Sequence, residues 1–221
     1  MNDRTVLTDP SDNHPERPTT CRRCGVCCRK GGPCLHFADR DLVAREVIAF
    51  TDLYTIRRGE PVWDNVSDTI GYARQDIVKI RSRPDATACL FFRETDHACA
   101  VYLSRPLECR ALQCWNIKAI TDLYDKQRLS RRDLLASWPA LWELVSAHQQ
   151  TCDYEKVGQL ARSGDIKGLT YLVEYDAAYR ELVVERNWIE AAMLDFLFGF
   201  PLKATVRRYG QFLTTSTPLY L

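Results

Sequence analysis

Nine of the ten cysteines in this chain lie between positions 21 and 114. The block CRRCGVCCRKGGPC supplies Cys21, Cys24, Cys27, Cys28 and Cys34, and a second group follows far downstream at Cys89, Cys99, Cys109 and Cys114. Thiolate is the ligand form of cysteine. Zinc takes four nitrogen or sulfur donors tetrahedrally, and iron-sulfur clusters are commonly held by four cysteines. A C-x-x-C pair lets one turn present two sulfurs, and here Cys21-x-x-Cys24 and Cys24-x-x-Cys27 overlap. Gly25 stands where a knuckle turn benefits from a residue free to adopt positive φ. Cys28 adjoins Cys27, and neighbouring side chains tend to diverge. Cys28 would then serve a second metal or a bridged cluster, unless irregular backbone converges both. The pattern therefore implies one or two centres.

Disulfides are the competing reading of an even cysteine count, and they need an oxidising compartment. The first twenty residues are polar and proline-interrupted, with no apolar h-region, so a cytoplasmic location with reduced thiols is expected. No apolar run reaches the ~18 residues of a bilayer span, so no membrane partner is expected. Lys plus Arg total 30 against 29 Asp plus Glu, which leaves no basic footprint for nucleic acid. The bacterial ferredoxin spacing fails because Gly31 holds the place of its fourth cysteine. No C-x3-C-x2-C triplet, Walker loop, GxGxxG turn, HExxH helix or G-x-S-x-G elbow occurs.

Thiolates around a divalent ion leave excess negative charge. Arg22, Arg23, Arg29, Lys30, Arg105 and Arg110 stand beside the candidate ligands and could neutralise it, or could simply be solvated surface residues. His36 and His97 are nitrogen donors by proximity, with exposed or supporting roles as the alternative. Isolated Cys152 is expected to be a small buried hydrophobe.

The elements that must position these residues follow from local pattern. Residues 1–20 form a flexible leader, 21–116 a cysteine-cluster metal-binding region, and 117–221 a helical region packed on it, within one domain. Asp39 is expected to cap a helix whose apolar face is Val43, Val47, Phe50 and Tyr54. A loop-rich insert follows to about Pro84, with a short strand at Ile77–Ile80. ACLFFRETDHACAVYL reads as two strands around a polar turn at Glu94–His97. In a regular ladder Phe92 opposes Cys99, which puts Cys89 and Cys99 on opposite faces unless a bulge intervenes. Ser104, Arg105 and Pro106 mark a helix start, with Cys109 near the positive end of the dipole, where thiolate is favoured. Ser130 caps a helix through Leu134, Leu135 and Trp138, and Pro139 restarts it. Leu172, Tyr175, Tyr179, Leu182 and Val183 repeat at helical spacing, as do Ile189, Met193, Phe196 and Leu197, and both stripes read as helical core. The expected fold class is α+β, mostly α, an irregular cysteine-rich region with a short β-hairpin against a helical C-terminal half.

C-x-x-C-G-x-C-C with G-G-P-C, then Cys89, then C-A-V-Y-L-S-R-P-L-E-C-R with Cys114, closely resembles the YkgJ-type cysteine-cluster family, CxxCxxCC, named for zinc or iron chelation. The resemblance covers about residues 20–116, and FLFGFPLKATVRRYG is similar to the ending of longer members. It implies as metal ligands Cys21, Cys24, Cys27, Cys28, Cys89, Cys99, Cys109 and Cys114, with Cys34 a ninth thiol that fits the pattern. Tyr102, Arg105, Pro106 and Arg110 match its Y-x-x-R-P-x-x-C-R signature.

The leading functional expectation is a cytoplasmic metal-binding protein whose cysteines ligate an iron-sulfur cluster or zinc. An alternative is a redox or protein-modifying enzyme, since the cysteine block is similar to that of flagellin methylases. Another is a metal-stabilised module for a protein partner, which requires exposed aromatics around Trp138, Trp142 or Trp188.

Overall fold

The computed structural model describes residues 20–64, 66–84, 86–213 and 219–220, with side chains up to residue 207. Apart from Thr20, the leader expected over residues 1–20 lies outside the described residues.

The region before the helical half is built from short elements. Helix α1 (Arg40–Ala44) is followed by strands β1 (Leu53–Ile56), β2 (Pro61–Asp64), β3 (Thr69–Tyr72) and β4 (Ile77–Ile80). The expected long helix after Asp39 is thus a single turn. Glu46 adopts φ 56°, and the carbonyl of Leu42 accepts from both Val47 and Ile48, which closes the helix end. Ile48, off the expected apolar stripe, is fully buried, and Phe50 stacks on Phe196 with centroids 4.7 Å apart. Leu-Tyr-Thr-Ile then suits a half-buried strand better than a helix, with Leu53 and Thr55 facing inward. Asp39 makes no side-chain cap to α1. Its two oxygens instead accept from the backbone N–H of His36 and Leu107, at 3.0 and 2.8 Å.

The insert is therefore paired strand rather than loop. β1 and β4 run antiparallel with Leu53 opposite Ile80, and β2 and β3 form a hairpin with Pro61 opposite Tyr72. A further strand, β7 (Leu219–Tyr220), lies parallel to β3. The cysteine hairpin is the two-residue pair β5 (Phe92–Arg93) and β6 (Ala98–Cys99), in the expected register of Phe92 opposite Cys99.

Helices α2 (Leu107–Ala111), α3 (Lys118–Leu123), α4 (Arg131–Leu134), α5 (Pro139–Thr151), α6 (Tyr154–Ser163), α7 (Ile166–Glu185), α8 (Leu194–Phe198) and α9 (Leu202–Leu213) complete the chain. Ser130 caps α4 together with Asp133, whose carboxylate accepts from the Ser130 N–H and hydroxyl, and Pro139 opens α5, both as the sequence implies, but α4 stops at Leu134, short of the expected extent through Leu135 and Trp138. The second stripe does not form one helix. α7 stops at Glu185, Asn187 takes φ 53°, and a 3-10 turn at Ala191–Met193 precedes α8.

Burial joins the two halves. Leu53, Val78 and Ile80 of the strands share one core with Val145, Val183 and Phe196–Phe198 of the helices, and Cys89 and Phe92 belong to it. The architecture is α+β and mostly helical, a cysteine-rich region against a helical half. No helix among the described residues is long and apolar enough to cross a membrane. Trp138 and Trp188 are about half exposed, at 47% and 56%, the feature that the partner-docking reading requires.

Candidate metal centre

All ten cysteines carry free thiols. The N-terminal block has no regular secondary structure beyond a 3-10 turn at Cys28–Lys30, so turns shape it. Gly25 holds φ 74°, and a Cβ there would come within 2.2 Å of the Phe92 ring. Only glycine supplies both the left-handed backbone and the clearance, so this turn sits flush on the hairpin. Arg29 N–H donates to the Gly25 carbonyl, and the Arg29 guanidinium lies over the same Phe92 ring at 5.1 Å. That guanidinium also donates to the Cys24 carbonyl and to the Glu94 carboxylate at 2.7 Å, linking the block to the hairpin turn.

One backbone bond brings the distant cysteine groups together. Cys89 N–H donates to the Cys28 carbonyl at 2.7 Å. Cys89 lies outside the β5–β6 ladder, and its carbonyl accepts from Phe92 N–H in a turn. That turn is the irregularity that brings Cys89 within electrostatic reach of Cys99 despite the ladder's alternation.

Five thiols share this neighbourhood, as their mutual repulsion records. Burial and then the charges of Cys89, Cys99 and Cys27 push Cys109 up to about 12. Burial chiefly raises Cys89 as well, with Cys99 and Cys27 adding to it. Cys27 and Cys28 do not diverge. Their sulfurs approach to 3.9 Å, and the hydrogen bond between them holds Cys27 down to about 6 while raising Cys28. Arg105 contributes to the lowering of Cys27. The expected activation of Cys109 by the helix dipole is overruled by desolvation and neighbouring sulfur, because α2 has only five residues.

Cys21, Cys24, Cys27 and Cys114 are exposed. Of the six flanking cations, Arg23 and Arg105 lie over the Tyr102 ring, at 4.3 and 3.8 Å, which ties the first block to the Y-x-x-R signature. Arg110 faces buried Asp39 at 3.9 Å, and Arg22 and Lys30 are exposed.

Cys34 stands with a different set. Its sulfur accepts from Lys79 Nζ at 3.6 Å and its N–H donates to Glu108 at 2.8 Å. Burial pushes this thiol up, making it the neutral partner of the Lys79 ammonium. His36 is engaged at both ring nitrogens, by the Lys126 carbonyl at 2.7 Å and Glu108 at 3.3 Å. Burial opposes its charge, yet Glu108 and that carbonyl outweigh burial and raise its pKa. His97 Nδ1 faces the Arg29 guanidinium at 3.2 Å. Neither histidine is oriented as an idle donor.

Glu108, Lys79 and Arg128 carry no motif that marks them in the sequence. Glu108 directly precedes Cys109, and Lys79 is the lone charge in the strand IVKI. These adjacencies were the available signals.

The CxxCxxCC model, a putative zinc- or iron-chelating domain, matches residues 20–130. The chain belongs to this family. The CxxCxxCC match runs past residue 116, where the sequence resemblance ends, and the extra segment has a structural role. Phe37 N–H donates to the Gln127 carbonyl, and Leu129 N–H to that of Leu35, so residues 117–130 pair back onto the cysteine region. CxxCxxCC membership supports metal binding by this region. Comparison with curated proteins and with solved structures finds no match.

One further group has ligand-like spacing. His148, Cys152 and Asp176 place their donor atoms within 4.8 Å of one another, all buried in the helical half. Asp176 accepts from Arg180 Nε at 3.0 Å, from Leu202 N–H at 2.9 Å and pairs with His148 Nε2 at 2.7 Å. Arg57 and Arg180 both disfavour positive charge at His148, as they would at a divalent ion. Cys152 is a fully buried thiol, as its isolation in the sequence implies.

Proposed function

We propose that Cys27, Cys28, Cys89, Cys99 and Cys109, with Cys21, Cys24 and Cys114 at the rim, hold a zinc ion or an iron-sulfur cluster as the working centre of this protein. The observation that carries this reading is the hydrogen bond from Cys89 N–H to the Cys28 carbonyl, which holds the two cysteine groups in one neighbourhood. Thiols that crowd one another resist ionising together, and a bound cation relieves that repulsion. The Cys27–Cys28 sulfur separation of 3.9 Å is close to the ~3.8 Å edge of a tetrahedron with Zn–S near 2.3 Å. It favours a centre in which both sulfurs bind one ion. When bound, such a centre supplies either a structural cross-link or one-electron chemistry. The protein's own residues set its surroundings: Arg105 and Arg23 over Tyr102, and Arg29 across the hairpin, place positive charge beside the sulfurs. Reduced thiols are required throughout, which suits the cytoplasm.

Protein purified without oxygen should carry stoichiometric zinc, or iron with acid-labile sulfide and visible colour. Cys28→Ser should lose most of that metal, and Cys34→Ser should retain it. Protein that contains neither metal, and takes up neither on anaerobic reconstitution, rules the reading out.

A further inference from the structure

α2 delivers Cys109 to the thiol neighbourhood, while its preceding residue Glu108 lines a cleft of about 450 Å3. None of Cys27, Cys28, Cys89, Cys99 and Cys109 lines this cleft. Its walls mix apolar side chains with polar and charged ones. Trp63, Ile77, Ile117 and Ile120 border it, and Trp63 and Ile117 stay more than half exposed, at 54% and 62%. Exposed apolar side chains gathered around one concavity are the usual lining of a small-molecule site.

Two cations that line it make no carboxylate ion pair among the described residues. Lys79 forms no ion pair within 4.0 Å among the described residues; its Nζ lies 3.6 Å from the Cys34 sulfur, with Glu108 the nearby negative charge. Arg128 lies over the Tyr124 ring at 4.6 Å and leaves its Nε buried with no hydrogen-bond partner. A buried donor without an acceptor calls for a ligand or an ordered water. The acid beside them, Glu108, is already engaged by the Cys34 N–H and by His36. Asp125 also lines the cleft but is exposed, and Arg74 adds a further cation.

We propose that this cleft binds a small organic carboxylate, its apolar body against Trp63 and Ile117 and its carboxylate on Lys79 and Arg128. A metal ion does not fit, since two cations face the space. A neutral apolar ligand would leave both cations unmatched, and a polyphosphate would set several negative charges against Glu108, Asp125 and the apolar side chains. Carboxylate recognition by a lysine and an arginine is the pairing that satisfies both ends of the cleft. This site stands apart from the proposed centre and does not depend on which metal the cysteines hold.

Octanoate is a suitable probe and octanamide its neutral counterpart, tested on the full chain with its metal as purified, by isothermal titration and saturation-transfer NMR. Octanoate should bind roughly tenfold more tightly than octanamide, and Lys79→Gln and Arg128→Gln should each weaken it several-fold with metal content unchanged. If Lys79→Gln fails to fold, Ile117→Glu at the exposed wall places a repelling charge at the mouth and should weaken octanoate likewise. Bound octanoate should also slow alkylation of Cys34 by iodoacetamide relative to Cys21. Equal affinity for the two probes, no octanoate binding at millimolar concentration, or undiminished binding in folded variants would each overturn the proposal.

Discussion

Around Asp176 the helical half brings together a carboxylate, a histidine, a guanidinium and a backbone N–H, each engaged with another at 2.7 to 3.0 Å. Around Cys28 the cysteine-rich half instead gathers groups of one kind, whose ionised forms repel. Both regions are tied into the same apolar core. In the first, the chain itself supplies the opposite charge, Arg180 against Asp176. In the second, on the function proposed above, a bound cation would supply it. Proximity of donor atoms is therefore a weaker guide to a metal centre than charge balance: His148, Cys152 and Asp176 are tightly grouped, yet Arg57 and Arg180 already provide the positive charge there.

The sharpest test of this contrast is Asp176→Ala. It leaves Arg180 and His148 buried without their carboxylate and should cost about 3–5 kcal/mol. Thermal melting should show the loss, while metal content per folded molecule stays unchanged. A variant that loses metal in proportion would mean that the two regions are not independent.

Next in size is the response to pH, where the two halves should pull in opposite directions. Burial holds His148 down to about 4, so the unfolded chain binds a proton that the folded chain refuses. Stability should fall as pH drops from about 6.5 toward 4, by roughly 3 kcal/mol at the limit. His36 has a raised pKa, so its contribution is present below about 6.5 and lost as pH rises through its folded value. Urea midpoints should flatten between pH 4 and 6.5 in His148→Gln, while the decline above pH 6.5 should flatten in His36→Gln. The reverse pattern would show that the assignments of the two histidines are exchanged.

Two glycines offer a smaller comparison at nearly equal φ. Gly25 has φ 74° and Phe92 within 2.2 Å of an added Cβ, whereas Gly164, which ends α6, has φ 69° and nothing within 4 Å. Gly25→Ala should cost about 1–3 kcal/mol and weaken metal retention against a chelator, because the turn must lift off the hairpin. Gly164→Ala should cost about 1 kcal/mol, from backbone strain alone, and leave metal retention intact. Equal effects on chelator resistance would remove the role given to the Gly25–Phe92 contact.

Legibility differed between the halves for a related reason. Ser130, Pro139 and the α7 stripe act within a few residues of themselves, and α4, α5 and α7 lie where those signals place them. The apolar spacing Val43, Val47, Phe50 and Tyr54 imitates a helix, but Phe50 is drawn to Phe196 and Leu53–Ile56 to β4, so tertiary partners override the local period. Adjacent cysteines at 27 and 28 look divergent in a regular backbone. The 3-10 turn at Cys28–Lys30 is not regular, and their sulfurs approach to 3.9 Å.

The residues alone determined that thiols dominate the chemistry, that overlapping C-x-x-C turns present them, and that a capped helical half follows. Those features depend on residue type and short spacing. Only the tertiary structure decided that Cys89 hangs from the Cys28 carbonyl, that Cys34 leaves the other sulfurs for Lys79 and Glu108, and that Glu108 and Cys109 serve separate surroundings from one short helix. Contacts such as Cys34 with Glu108, 74 residues apart, are closed by burial of a common core, and no local pattern in the chain encodes them.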